Sequence, residues 1–280
     1  MKYKALILTL AALFLTSCSS NQLKDQTPEE KKADVYYGQG TTELVNKNYQ
    51  QALAYLLKAK ELNPEDSKIR NNLGMSYYFR EQVGLAEEQL KKAVDLDGKN
   101  SDARMNLGSL YLAKKNYKEA REQFEKVLED LTYPTQYRNF YNLAIVNLNE
   151  GDRRMAFEFL ARSIKEKSDY CPAHYKLGEM YAEEYRFKQA LDSFKESGKG
   201  TCVSEPSPHY QQAMSLLNLN KPMEAKLKFQ EITEKFPNTR FGTMAAIQIK
   251  KINNNSDEQS TRMQNEMIRK NDNSAETPNF

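Results

Sequence analysis

Small and apolar residues recur along this chain with a period of 34 residues. One series consists of glycines and the other of alanines: Gly40, Gly74 and Gly108, and Ala52, Ala86 and Ala120. Leucine, tyrosine and phenylalanine stand three or four positions from these small residues, the spacing of one face of an α-helix. Turn sequences such as Asn63-Pro64-Glu65-Asp66 separate the periods. The pattern predicts two antiparallel helices per period, with small residues where the two helices cross.

The period and the residue types resemble the tetratricopeptide repeat, a pair of antiparallel helices that stacks into a solenoid. We therefore predict an all-α, right-handed superhelical solenoid of six repeats with a C-terminal capping helix. The repeats are expected at 33–66, 67–100, 101–134, 137–170, 171–204 and 206–239, and the cap at 239–252. The fourth repeat is two residues out of phase, so an insertion is expected at Leu131–Gln136. There the second helix of the third repeat should run long until Pro134 stops it.

The start of the chain has the composition of a targeting segment. Lys2 and Lys4 precede an apolar run over residues 5–14 that is too short to span a bilayer, and Leu15-Thr16-Ser17-Cys18 follows. This order resembles the bacterial lipoprotein signal. The resemblance implies that residues 1–17 are removed and that Cys18 carries diacylglycerol and an acyl chain such as palmitate. Ser19, the next residue, implies sorting to the outer membrane, with the solenoid facing the periplasm.

The segments that flank the repeats are polar. We expect residues 18–32 to form a flexible tether between the lipid and the solenoid. Residues 253–280 are rich in asparagine and poor in apolar side chains, so we expect a disordered tail.

Charged residues make up 28% of the chain and nearly balance, with a net charge of +3. A nucleic-acid-binding surface would instead concentrate lysine and arginine on one face. No glycine-rich phosphate loop and no triad of nucleophile, histidine and carboxylate can be read from the sequence. We therefore expect a non-enzymatic protein with no catalytic or metal site and no cofactor besides the lipid on Cys18.

Two cysteines remain once Cys18 is assigned to lipid. In repeat numbering, Cys171 opens the first helix of the fifth repeat and Cys202 lies just past the end of its second helix. These positions lie at the same end of an antiparallel hairpin, so we predict a disulfide bond. Zinc coordination by the same two cysteines with His174 and His209 is the alternative. Both histidines stand at the fourth position of their repeats, however, which normally packs against a neighbouring helix.

A partner-binding surface is expected on the concave face of the solenoid, which the first helix of each repeat lines. Asparagine occupies position six in three successive repeats and either hydrogen-bonds the backbone of an extended ligand or is only the consensus residue. Tyrosine, methionine and leucine dominate the other positions and suit an apolar peptide segment, whereas position five lacks the basic residues of a carboxylate clamp. The candidate groove residues are Tyr37, Leu44, Asn71, Asn72, Met75, Tyr78, Met105, Asn106, Leu112, Tyr141, Asn142, Ile145, Tyr175 and Tyr210.

The combined features resemble the outer-membrane pilotins of type IV pili, the PilF, PilW or Tgl group. The shared features are the lipoprotein signal, six repeats and the interruption after the third repeat. The interruption is the most specific of these: Leu131-Thr132-Tyr133-Pro134 leads into Asn142-Leu143-Ala144 and Gly151-Asp152. A cysteine pair at about this separation also occurs within that family.

The resemblance implies a monomeric protein whose partners are the secretin subunits of the type IV pilus. Such a protein assists the secretin to reach the outer membrane and to assemble. Two other functions are compatible with the same features: an envelope adaptor for peptidoglycan hydrolases or proteases, and a component of an outer-membrane assembly machine.

Overall fold

The computed structural model describes residues 26–274, which form thirteen α-helices and one short 3₁₀ helix, with no β-strand within that range. In chain order the α-helices are α1 (Pro28–Val45), α2 (Tyr49–Leu62), α3 (Ser67–Phe79), α4 (Val83–Leu96), α5 (Ser101–Ala113), α6 (Tyr117–Val127), α7 (Gln136–Glu150), α8 (Arg153–Glu166), α9 (Cys171–Glu183), α10 (Phe187–Ser197), α11 (Pro206–Asn218), α12 (Pro222–Lys235) and α13 (Arg240–Ser274). The 3₁₀ helix, Gly200–Cys202, lies between α10 and α11. The predicted all-α class is confirmed.

The chain divides into two compact units, one ending at Ala103 and the other beginning at Arg104. In the first unit, α1 pairs with α2 and α3 pairs with α4. A buried cluster joins α1, α2 and α3: Ala33, Ala52, Leu56, Ala59, Ile69 and Leu73. The helical hairpins are therefore held together by apolar burial, the main favourable term in folding.

The second unit contains the hairpins α7–α8, α9–α10 and α11–α12, and α13 packs against α12. Its last buried cluster is formed by α11, α12 and the beginning of α13: Tyr210, Ala213, Ala225, Phe229, Ile232, Ala245 and Ile252. The capping helix therefore covers apolar surface that α11 and α12 would otherwise expose.

The periodic glycines lie where the two helices of a hairpin cross. A Cβ atom added to Gly74 would stand 2.6 Å from Leu90 Cγ, and one added to Gly40 would stand 2.6 Å from Leu56 Cγ. Gly108 meets Phe124 in the same way. No real Cβ atom tolerates such distances, so only glycine permits this helix spacing. The crossing predicted from the 34-residue period is confirmed.

The turn between the two helices of a repeat uses one residue in the left-handed region. Five of these residues carry a side chain at φ between 57° and 63°: Lys47, Glu81, Lys115, Tyr185 and Asn220. The fourth repeat has Gly151 instead, at φ 87°. Because a side chain is disfavoured in this region, the five turns hold local strain that glycine would relieve.

The first helix begins earlier than expected. It starts at Pro28 rather than after residue 32, so the predicted tether is wrong for residues 28–32. Thr27 caps the helix: its side chain accepts a hydrogen bond from the Glu30 backbone N–H, and the Glu30 side chain accepts one from the Thr27 backbone N–H. This capping box stabilises the first turn.

The insertion after the third repeat also differs from the expectation. Helix α6 ends at Val127 and does not run long to Pro134. Residues 128–135 form a loop that side chains close, because Gln136 Nε2 donates hydrogen bonds to the carbonyl oxygens of Val127 (2.8 Å) and Asp130 (3.0 Å). These bonds satisfy backbone acceptors that a longer helix would otherwise have used.

The final helix is longer than the predicted cap. It continues past residue 252 to Ser274, so the predicted disordered tail is wrong for residues 253–274. No proline or glycine occurs between Thr243 and Ser274 to interrupt the hydrogen-bond ladder that the packed first turns begin.

None of the described helices, including this one, combines the length and apolarity needed to cross a bilayer. The signal, Cys18 and the last six residues lie outside the described residues.

Candidate functional site

The predicted groove residues all lie on the first helices of the repeats. They belong to α1 (Tyr37, Leu44), α3 (Asn71, Asn72, Met75, Tyr78), α5 (Met105, Asn106, Leu112), α7 (Tyr141, Asn142, Ile145), α9 (Tyr175) and α11 (Tyr210). Ten of the fourteen side chains are half-buried and four are buried. We refer to the half-buried part in each unit as its first-helix surface.

The first unit presents an apolar and aromatic first-helix surface. Tyr37, Leu44, Met75 and Tyr78 are half-buried, and the first two also pack against the core of the unit. Burial raises the pKa of the Tyr37 hydroxyl above its ordinary value. That hydroxyl therefore stays protonated at neutral pH and can donate a hydrogen bond.

The position-six asparagines link successive repeats within a unit. Asn72 Nδ2 donates to Thr41 Oγ1 at 2.9 Å, and Asn142 Nδ2 donates to Ser109 Oγ at 3.4 Å. Asn72 Oδ1 also accepts a hydrogen bond from Asn71 Nδ2 at 3.1 Å. These bonds favour the interpretation that asparagine is the structural consensus of this repeat, because the carboxamides already serve the packing of neighbouring helices.

Four predicted groove side chains do not reach the surface, and for these the expectation is wrong. They are Asn71, Asn72, Met105 and Tyr210, each 6–9% exposed. Tyr210 lies between Phe229 and Phe241, with ring centroids 5.6 Å and 5.5 Å away. Phe241 belongs to α13, so the capping helix covers the part of α11 that was expected to face a partner.

The second unit contains a small apolar cavity of about 180 Å³ beside its first-helix surface. We call it the disulfide pocket, and it is lined by Tyr141, Cys171, Pro172, Tyr175, Ser197, Cys202, Glu205, Ser207 and Pro208. Burial and the nearby Glu179 carboxylate raise the pKa of Tyr141, which therefore stays neutral. Two tyrosines and two prolines in one cavity suit an apolar side chain from a partner.

Cys171 and Cys202 form a disulfide bond in the wall of this pocket, with their Cα atoms 6.3 Å apart. The two thiolates that zinc would need are therefore joined to each other. The two histidines are buried as expected: His174 Nε2 donates to the Ser168 carbonyl oxygen at 2.8 Å, and His209 Nε2 donates to that of Val203 at 3.1 Å. Over residues 26–274 there is no group of three His, Cys, Asp or Glu side chains suited to a metal ion.

A second cavity on the same unit is charged, which sequence reasoning missed. It has a volume of about 300 Å³ and is lined by Ile145, Leu148, Asn149, Arg153, Lys176, Glu179, Met180 and Glu183. Lys176 Nζ lies 2.5 Å from Glu179 Oε2, and Arg153 lies 2.8 Å from Glu183 Oε2. Lys176 occupies position six of the fifth repeat, where the second, third and fourth repeats have asparagine. That replacement was the available signal that the surface changes from apolar to charged.

Comparisons with known proteins agree with this fold. Tetratricopeptide repeat family models match residues 33–66, 71–132 and 209–239. The type IV pilus assembly protein PilF of Pseudomonas aeruginosa is 26% identical over 205 residues, which cover 71% of this chain and 81% of PilF.

Two solved structures share the architecture. The structure of Pseudomonas aeruginosa PilF superposes with a TM-score of 0.69 at 20% identity, over 78% of this chain and 98% of PilF. That of PilW, a widely conserved type IV pilus biogenesis factor, also gives 0.69, at 19% identity, over 76% of this chain and 98% of PilW. At these identities the superpositions show the shared fold.

Proposed function

We propose that this chain, a tetratricopeptide repeat protein similar to PilF and PilW, acts in type IV pilus biogenesis as a lipid-anchored, non-enzymatic binding protein. The observation that carries the proposal is the sequence match to PilF. It spans 81% of that protein and is therefore not the match of a single repeat.

The more specific part of the proposal is a pilotin role. The chain binds an apolar segment of a secretin subunit before that subunit joins the ring, and it releases the segment when the ring assembles. Two features support this role. The first unit presents half-buried Tyr37, Leu44, Met75 and Tyr78, and the second unit has the disulfide pocket. Tyrosine and methionine give large contact area with adaptable packing.

The lipid anchor expected at Cys18 supplies the location. Diacylglycerol together with an acyl chain anchors a protein stably, because each buried methylene contributes about 0.8 kcal/mol. An anchored binding protein meets a membrane-bound client at a raised effective concentration, so weak contacts suffice. We propose that the anchor is in the outer membrane and that the repeats face the periplasm.

Deletion of the gene tests the secretin role. The expected result is secretin that is made but does not form heat-resistant multimers on a denaturing gel, with few surface pili. Normal multimers in the deletion strain would refute the pilotin role, and normal pili would refute the pilus role altogether.

Complementation with single variants tests the surface. Met75→Glu places a charge on the first-helix surface of the first unit and should fail to restore multimers. Ala54→Glu adds the same charge at an exposed position of α2 and should restore them. Equal rescue by both variants would show that this surface does not bind the client.

The anchor is tested separately by Cys18→Ser. The variant should lose labelled palmitate and leave the outer-membrane fraction in a density gradient. Retention of the variant in that fraction would contradict lipid anchoring through this residue.

A further inference from the structure

The loop after the third repeat forms one side of a cavity that the proposed function does not use. The cavity lies on the second unit and has a volume of about 270 Å³. We call it the insertion pocket, and it is lined by Leu128, Leu131, Tyr133, Pro134, Gln136, Tyr137, Phe140, Arg162 and Glu166. Six of its nine side chains are aromatic or aliphatic, and Gln136, Arg162 and Glu166 are polar; polar atoms make up the larger part of its exposed surface.

Buried polar contacts hold the walls of the insertion pocket in place. Besides the two hydrogen bonds from Gln136 that close the loop, Asn139 is fully buried and its Nδ2 donates to the Phe124 carbonyl oxygen at 2.9 Å. Asp130 Oδ1 accepts hydrogen bonds from the backbone N–H and the hydroxyl of Thr132. The loop is therefore preorganised, which lowers the entropic cost of binding. It nevertheless leaves Leu131 90% exposed at the rim.

Arg162 has no carboxylate partner among the described residues. Its guanidinium lies over the ring of Phe140, 4.2 Å from the centroid, and 5.7 Å from that of Phe159. Glu166 stands one helical turn away, yet no ion pair or hydrogen bond joins Arg162 to any residue that the structure describes. Stacking uses the face of a guanidinium, whereas its N–H donors lie in the plane. Arg162 is thus oriented by aromatic rings while its donors stay available.

Three cations that form no ion pair with a described residue lie around the insertion pocket. Lys167 and Arg138 lie over the ring of Tyr137, at 5.0 Å and 5.8 Å from its centroid, and neither forms an ion pair within the described part of the chain. With Arg162, these make up the three cations. Of the nearby carboxylates, Glu129 pairs with Lys126 at 2.9 Å and Asp130 accepts hydrogen bonds from Thr132, so Glu166 alone is left to oppose these cations. Such an excess favours an anionic partner and opposes a cationic one.

We propose that the insertion pocket is a docking site for a protein segment that carries an apolar side chain next to a carboxylate. The apolar side chain fills the space between Leu131, Tyr133 and Phe140. Arg162 binds the carboxylate with its in-plane N–H groups, the geometry in which arginine pairs with carboxylates most strongly. This inference depends on the geometry of the pocket alone and stands apart from the pilus role.

Two matched peptides test the proposal. Capped Gly-Asp-Leu-Asp-Gly has the predicted chemistry, and capped Gly-Asn-Leu-Asn-Gly has the same shape without charge. Titration of the full chain in detergent, followed by saturation-transfer NMR on the peptide, gives each dissociation constant. The aspartate peptide should bind roughly five- to tenfold more tightly at low salt, because charge-assisted hydrogen bonds are about twice as strong as neutral ones but are partly screened here. The ratio should shrink at high salt.

Variants locate the effect. Arg162→Gln should abolish the preference for the aspartate peptide, whereas Lys165→Gln, an exposed cation on the same helix outside the pocket, should retain it. Leu131→Asp adds a carboxylate at a 90% exposed position, so it should weaken the aspartate peptide without affecting the fold. Equal binding of the two peptides to the unaltered chain, or a preference that survives Arg162→Gln, would overturn the proposal.

Discussion

Removal of the Cys171–Cys202 disulfide should destabilise the second unit alone. The bond joins residues 31 positions apart. In the chain-entropy model, a disulfide that closes a loop of this length restricts the denatured chain. Its removal raises the entropy of the denatured state and so lowers the free energy of unfolding by roughly 3.7 kcal/mol at 25 °C. His209 still holds the neighbouring loop, because its Nε2 donates to the Val203 carbonyl oxygen. We therefore expect the native loop to stay close to its place and the full entropic effect to appear as lost stability.

The double variant Cys171→Ser/Cys202→Ser measures this effect in urea, with helicity followed by circular dichroism. For a slope of roughly 2 kcal/mol per molar urea, the transition of the second unit should move down by about 1.5 to 2 M. Addition of a reductant should shift the unaltered chain by a similar amount and leave the variant unchanged. Amide hydrogen exchange should accelerate in α9–α11 and not in α1–α4. A loss below about 1 kcal/mol, or an equal loss of protection in both units, would refute the entropic account.

Three further predictions concern packing, turns and ionisation. Gly74→Ala forces a Cβ atom against Leu90 and should destabilise the first unit by about 1–3 kcal/mol. Gly84 has open space around it, so Gly84→Ala should be neutral or stabilising by up to about 1 kcal/mol. Thermal unfolding compares the two variants, and equal effects would contradict the contact at the helix crossing. Tyr185 has a φ of 59°, so Tyr185→Gly removes the backbone strain of that turn and should raise the unfolding temperature. A lower unfolding temperature would show that the contacts of the exposed ring stabilise the protein by more than the strain destabilises it. Burial and the neighbouring Tyr141 raise the pKa of Tyr170 from 10.0 to about 12, so its contribution to stability is complete below pH 10 and is lost as the pH rises to 12. The pKa values of Tyr37 and Tyr141 are raised as well, so tyrosinate absorbance should show several late-titrating groups, and Tyr170→Phe should remove the latest of them. An unchanged titration would contradict the assignment.

The fold could be predicted because its main constraint is local and repeats. A helix crossing that tolerates no Cβ requires glycine at one position, and the partner side chain always comes 16 residues later, as in Gly40 with Leu56 and Gly74 with Leu90. Such a constraint leaves a periodic mark on the sequence. The cysteine pairing was predictable for the same reason, because repeat numbering places Cys171 and Cys202 at one end of a hairpin.

The candidate site was harder to predict because exposure depends on what covers a helix. Tyr210 stands at the same repeat position as Tyr141 and Tyr175, yet it is buried because Phe241 of α13 packs on it. Position within a repeat predicts which face of a helix a residue occupies, but the capping helix is not part of the repeat. Composition misled in a related way for residues 253–274. The composition of a segment indicates how much apolar surface it can bury. A helix, however, can continue into a polar segment once its first turns are packed, because each further residue adds a hydrogen bond.

The Cys171–Cys202 bond links the stability of the second unit to the chemistry of its surface. The same two residues close the loop after α10 and form part of the wall of the disulfide pocket, together with Tyr175 and Pro208. Disulfides persist mainly in oxidising compartments, of which the periplasm is one. If the disulfide pocket binds a client side chain, reduction should weaken that binding as well as folding, because the wall would lose its covalent restraint. Affinity measured before and after reduction, at a urea concentration where both forms remain folded, separates the two consequences. Unchanged affinity would show that the bond serves stability alone.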